Sequence, residues 1–333
     1  MNFSLVWFLE ILAYPAVNCF VLISGFVGYK EDHPFPKIKN IISLVFTVAF
    51  YSISIFLIFI FWGIEPFGLN GLIKSVFPTI FKSYWFFSAY FGLFLISPLL
   101  NQLVQKMNLK NAVVFLSVVS LFSIISIICD TFSLLGGYSL IWFVFIYLIG
   151  AIIKKFKSNE LLSKKGWFII ALASFMITWV SKIALHFSGI GFLEKQSGGL
   201  VSYVSPTIIL MAIALLCLFS KIKFNPSFAK IISFFASSAF SVYLIHDNNY
   251  IRTHLMSKIH MMVDDFNVVL LTLFIIGCVL AIFFACILID KIRAGIFKIA
   301  NIDKLSVQIE KLIRKIIHTL YQKLEKSHQK IAE

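Results

Sequence analysis

The chain has 333 residues, of which 60% are hydrophobic, 17% aromatic and only 13% charged, with a formal net charge of +14. About a quarter of an ordinary soluble domain is charged, so this composition excludes a chain that clothes itself in polar surface and points to one flanked by lipid. The basic residues fall in short runs between apolar stretches, as in oriented membrane helices, and no basic motif with interleaved aromatics speaks for nucleic acid.

A helix crosses the hydrocarbon layer with about 20 apolar residues. Read in order, the sequence offers nine candidate spans, at 5–27, 40–62, 85–104, 112–130, 139–153, 166–186, 203–220, 231–247 and 267–290. The predicted fold is therefore all-α, a polytopic transmembrane helix bundle. Its fifth span is short, and loops such as Ile64 to Gly71 and Ser188 to Gly199 carry Gly, Asn and charge. Alternate loops and the tail together hold 23 of the 29 Lys and Arg residues. The positive-inside rule places that side in the cytoplasm, and the plasma membrane is the expected location. Nine spans then leave Met1 outside, with nothing ahead of the first span to direct its export, so a helix is expected to be missing at the front.

The sequence divides into a transmembrane domain, 1–290, and a basic tail, 291–333. Along the tail Ile302, Leu305, Ile309, Leu312, Ile313, Ile316, Ile317, Leu320 and Leu324 form one helical stripe. Lys304, Lys311, Arg314, Lys315 and Lys323 fill the other face. This is a C-terminal basic amphipathic helix, read as lying on anionic membrane lipid or, alternatively, packing on protein.

Charged groups inside a span are costly and therefore functional candidates. Those here are Glu10 and Asn18 in the first span, Lys182 and His186 in the sixth, and His246 with Asp247 closing the eighth. Lys182 is expected to snorkel to the outer interface, and Glu10 to sit there too. The run His246-Asp247-Asn248-Asn249-Tyr250-Ile251-Arg252 gathers imidazole, carboxylate, amide and guanidinium groups. Histidine can exchange a proton near neutral pH, but adjacent residues on a helix do not face each other. Chemistry alone leaves capping, packing and catalysis open for His246. His33, His254, His260, His318 and His328 are expected to be solvated. Cys19, Cys129, Cys217, Cys278 and Cys286 stand singly in apolar sequence, without metal-ligand or disulfide spacing. No resident cofactor or metal is expected.

Four strings carry more. Phe20-Val21-Leu22-Ile23-Ser24-Gly25-Phe26 comes first. Tyr84-Trp85-Phe86-Phe87-Ser88-Ala89-Tyr90 follows, running on to Ser97-Pro98-Leu99-Leu100-Asn101. Gly137-Tyr138-Ser139-Leu140-Ile141-Trp142-Phe143 and Val242-Tyr243-Leu244-Ile245-His246-Asp247 complete the set. In that order they resemble the membrane-bound acyltransferase family 3, over about Asn18 to Asp290, with bacterial O-acetyltransferases of surface polysaccharides as the nearest likeness. The resemblance implies a bundle of ten helices that moves an acetyl group from acetyl-CoA to a hydroxyl of an exported or lipid-linked glycan. It makes His246, the end of the Tyr-Leu-Ile-His motif, the catalytic candidate. Lys37 and Lys39 stand where the family often has arginines, suiting CoA phosphates, although the positive-inside bias alone also explains them. Ser24, Trp85, Asn101, Asp247 and Arg252 are the implied substrate contacts. The family's first helix, with its own catalytic histidine, has no counterpart in these strings. A non-catalytic membrane component and a lipid-linked glycan transporter are the competing readings.

Overall fold

The computed structural model describes residues 3–30, 38–261 and 266–332. In chain order the helices are α1 (Phe3–Ala13), α2 (Ala16–Gly28), α3 (Ile38–Phe61), α4 (Leu69–Val76), α5 (Trp85–Lys106), α6 (Leu109–Ile128), α7 (Leu140–Lys155) and α8 (Lys164–His186). They continue as α9 (Gly191–Gln196), α10 (Pro206–Ser220), α11 (Pro226–Ala236), α12 (Ala239–His246), α13 (Asn249–Ile251), α14 (Ser257–Met261), α15 (Val268–Ile299) and α16 (Ile302–Ala332). No strand occurs among the described residues, so the chain is all-α as its hydropathy predicts.

Among the described residues seven helical segments are long and apolar enough to cross a membrane, with α1–α2 counted together as Phe3–Gly28 and α11–α12 as Pro226–His246. The other two predicted spans, the fifth and seventh, become α7 and α10, of 16 and 15 residues. At about 1.5 Å per residue each reaches roughly 22–24 Å, short of a 30 Å hydrocarbon layer. Both are heavily buried by their neighbours, which reconciles apolar sequence with short length. The helix predicted to end near 290 runs on without a break to Ile299.

The chain forms two compact units, one of residues 1–36 and 85–225, the other of 37–84 and 226–333. The first is built around α2 and α7, which cross at backbone contact. An added Cβ on Gly25 would lie 2.0 Å from the Tyr147 carbonyl oxygen, and one on Gly150 would lie 2.2 Å from that of Leu22. Small residues permit such close approach between membrane helices, where packing rather than hydrophobicity drives association. Leu22, Trp142, Phe143 and Ile146 fill the core beside the crossing, all fully buried.

The strings also supply the polar repairs this packing needs. Pro98 cannot donate to the Phe94 carbonyl, one turn back, and the Ser97 hydroxyl donates to it instead at 2.8 Å. Ser139 caps α7 by accepting the Trp142 N–H at 3.1 Å. The Lys155 ammonium donates to the carbonyls of Val104, Gln105 and Met107 at 2.8, 2.9 and 2.6 Å, capping the negative end of α5.

In the second unit α3 carries α4, α12 and α16, and α12 lies against α15. The α11–α12 span is interrupted at Ser237–Ser238. Lys291 of α15 meets the break, donating to Ser237 Oγ at 3.2 Å and lying 4.1 Å over the Phe234 ring. Beside it, buried Asp290 accepts from Tyr51 Oη at 2.9 Å and from Arg293 Nε at 2.8 Å.

Glu310 of α16 accepts the Lys39 backbone N–H at 3.2 Å and so caps the start of α3 from another helix. The Arg314 guanidinium, 2.7 Å away, holds its carboxyl below the usual 4.5. A carboxylate depressed in the folded state contributes stability above its unfolded value and loses it as pH falls through the folded one. Limited proteolysis across an acid titration should therefore show α16 released below pH 4.5, and Glu310→Gln should remove that pH dependence.

Candidate functional site

The predicted polar residues sort into two clusters, one in each unit. In the first unit Asn18 is buried, accepting Trp142 Nε1–H at 3.1 Å and donating to the Tyr203 carbonyl at 2.8 Å. Asn101 is equally buried, donating to the Gly28 carbonyl at 3.3 Å and accepting the Tyr147 hydroxyl at 2.9 Å. Ser24 is half-buried; its hydroxyl donates to the Phe20 carbonyl of its own helix at 2.9 Å and can accept from the Tyr90 hydroxyl at 3.3 Å. Trp85 packs into an aromatic group with Tyr138 and Tyr203, at ring separations of 4.3 and 6.0 Å. These groups clamp helices together. Asn18→Leu would orphan two buried partners, at about 1–3 kcal/mol each, and should lower the midpoint of thermal unfolding in detergent, whereas Asn18→Asp retains an acceptor for Trp142 and should lower it less.

One expectation for the first unit needs correction. Lys182 does not snorkel to the interface; it is 5% exposed, donates to Ser197 Oγ at 3.2 Å and sits 4.1 Å over the Trp7 ring. A hydroxyl and an aromatic face within reach of the ammonium replace the water it would otherwise seek. His186 is likewise half-buried, stacked 4.0 Å from Phe3.

The second unit holds the cluster with proton-transfer capacity. Leu244 and Ile245 anchor the end of α12 in the interior, while His246 is exposed. His246 Nδ1 lies 2.6 Å from the Val242 carbonyl oxygen. A carbonyl only accepts, so Nδ1 carries the proton and Nε2 of the neutral ring presents its lone pair. An imidazole oriented in this way can take up a proton at Nε2.

Around it, Asp247 pairs with Arg252 at 3.4 Å, a contact weakened by the 62% exposure of the arginine. Burial raises the Asp247 carboxyl above its ordinary value, and Arg252 opposes that shift. Asn248 is buried, caps the short α13 turn through the Tyr250 N–H at 3.0 Å and donates to Tyr84 Oη at 2.7 Å. Burial pushes the Tyr84 hydroxyl up to about 12, with the Asn248 hydrogen bond opposing, so it stays protonated.

His254, predicted to be solvated, is instead paired: its Nε2 lies 2.7 Å from Glu65 Oε1, and both side chains are two-thirds covered. The separation of 189 residues hid this pair from the sequence. Tyr84 stood in a family string without a role, and only its Asn248 partner gives it one. Asp290, Tyr51 and Arg293 were missed entirely, although an aspartate closing a long apolar run was the available signal. Among the described residues no three His, Cys, Asp or Glu side chains converge as metal ligands would.

Of the predicted CoA contacts, Lys37 lies outside the described residues, and Lys39 is half-buried at the start of α3. The helix N-terminus there, a natural anion site, is already met by Glu310 of the same chain.

Residues 2–290 match the family model for an acyltransferase domain, that of acyltransferase family 3. No curated protein and no solved structure matches the chain.

Proposed function

We propose, from the premise that this chain belongs to acyltransferase family 3, that it acetylates a hydroxyl of a cell-surface or exported polysaccharide, or of its lipid-linked precursor, with acetyl-CoA as donor. The chain is a multi-pass membrane protein of an acyl-transferring family. The observation that carries the finer reading is the 2.6 Å approach of His246 Nδ1 to the Val242 carbonyl oxygen, which orients an exposed imidazole at the end of an apolar helix.

In the proposed step the acceptor hydroxyl oxygen forms a bond to the thioester carbonyl carbon. Its proton passes to His246 Nε2, the C–S bond breaks, and the proton leaves with the thiolate as free CoA thiol. Asp247, Asn248 and Arg252 border the imidazole and offer hydrogen bonds to a sugar. On the other side of the reaction, Lys39 and Lys37 supply cations for the CoA phosphates, and the positive-inside bias assigns that side, with the C-terminus, to the cytoplasm of a bacterial cell.

The test is chemical. Envelope polysaccharide from cells with and without the gene is hydrolysed and its ester-bound acetate measured. Loss of acetate without the gene is the expected result. Unchanged acetate would contradict the reading, and a change in the movement of lipid-linked sugar instead would favour a transporter.

A further inference from the structure

We propose that the C-terminal half of α16 is a docking surface for an anionic lipid leaflet, an inference that does not depend on the acyl-transfer reading. α16 packs on α3, and along its first turns Ile302, Ser306, Ile309 and Ile313 are buried or half-buried. The same face, at the same helical spacing, continues as Ile316, Ile317, Leu320 and Tyr321, which are 50% to 63% exposed. The stripe therefore runs off the end of its protein partner while keeping its apolar character.

Charge identifies what covers the overhang. Lys311, Arg314, Lys315 and Lys323 are all exposed along this half of the helix. Apolar side chains on one face with basic ones beside and behind them fit an anionic lipid surface, with the hydrocarbon taking the stripe and the headgroups the cations. Position agrees. The 32-residue α15 ends at Ile299, and Asn301, at φ 52, turns the chain into α16 within two residues. A helix joined this tightly to the end of a membrane span emerges at the interface. The Glu310 cap on α3 fixes its rotation, so the stripe cannot simply roll away.

The test uses the full chain in nanodiscs of phosphatidylcholine alone or with about a third phosphatidylglycerol. Hydrogen exchange is followed over residues 311–323, with α3 and α15 reporting that the rest of the fold is intact. Protection of 311–323 at least about tenfold higher in the anionic discs is expected, and K311Q/K315Q/K323Q should bring it down to the level seen in phosphatidylcholine alone. Ile316→Ser with Leu320→Ser should abolish it in both lipids. Equal protection in the two lipids would overturn the proposal, and the wild-type comparison decides this even if a variant fails to fold. Protection that depends on two copies per disc would also overturn it, identifying a second chain as the occupant.

Discussion

Replacing His246 by alanine is expected to lower acyl transfer by about 10²–10⁴-fold, the range for loss of a general base. The protein level in the membrane should hardly change, because the imidazole is exposed and its observed bond is to the Val242 carbonyl of its own helix. His246→Gln keeps a side chain that can donate to Val242 but has no basic nitrogen, so it should lose activity as fully. Asp247→Asn, by contrast, removes a carboxylate that meets an exposed arginine and need not touch the transferred proton. Its cost should be smaller and should show mainly in acceptor KM. Initial rates with saturating donor, normalised to protein in the membrane fraction, separate these outcomes.

Leucine at Gly150 is expected to prevent assembly of the first unit. The obstruction is backbone, since even a methyl carbon there would lie 2.2 Å from the Leu22 carbonyl oxygen and 3.0 Å from the Phe26 nitrogen. Overpacking against movable side chains costs about 1–3 kcal/mol. Here α2 and α7 must separate, and a loss of about 4 kcal/mol or more follows. The reciprocal position, Gly25, should behave alike, with Tyr147 and Ala151 as the obstacles. Gly277 of α15 has nothing within 4 Å and serves as the control, so Gly277→Leu should leave the protein monodisperse on size-exclusion chromatography while Gly150→Leu aggregates.

These two positions show what the sequence could and could not reveal. Hydropathy sufficed for the class and for the seven long apolar helices among the described residues, because the bilayer imposes length and composition on whatever crosses it. It overstated α7 and α10, since a helix buried by neighbours is as apolar as one facing lipid. The family strings were legible as strings, and several of their residues serve packing: Gly25 the crossing, Ser97 the repair at Pro98, Asn101 and Trp142 the clamps between helices. His246 was legible as a candidate because it closes an apolar helix and ends the Tyr-Leu-Ile-His string of the family resemblance. Its tautomer was not, since that depends on a ring orientation only coordinates supply. The His254–Glu65 and Tyr51–Asp290–Arg293 groups were invisible for a different reason, as partners far apart in sequence leave no local pattern.

The central claim is that the His246 imidazole acts as the base in acyl transfer. Chemical rescue of His246→Ala by added imidazole, in membranes supplied with labelled acetyl-CoA and the cell's own glycan acceptor, tests it most directly. Restoration of label transfer that rises with imidazole concentration, and fails for His246→Gln where the glutamine side chain occupies the place of the ring, is the predicted result. An alanine variant that transfers label at the wild-type rate without imidazole would contradict the account.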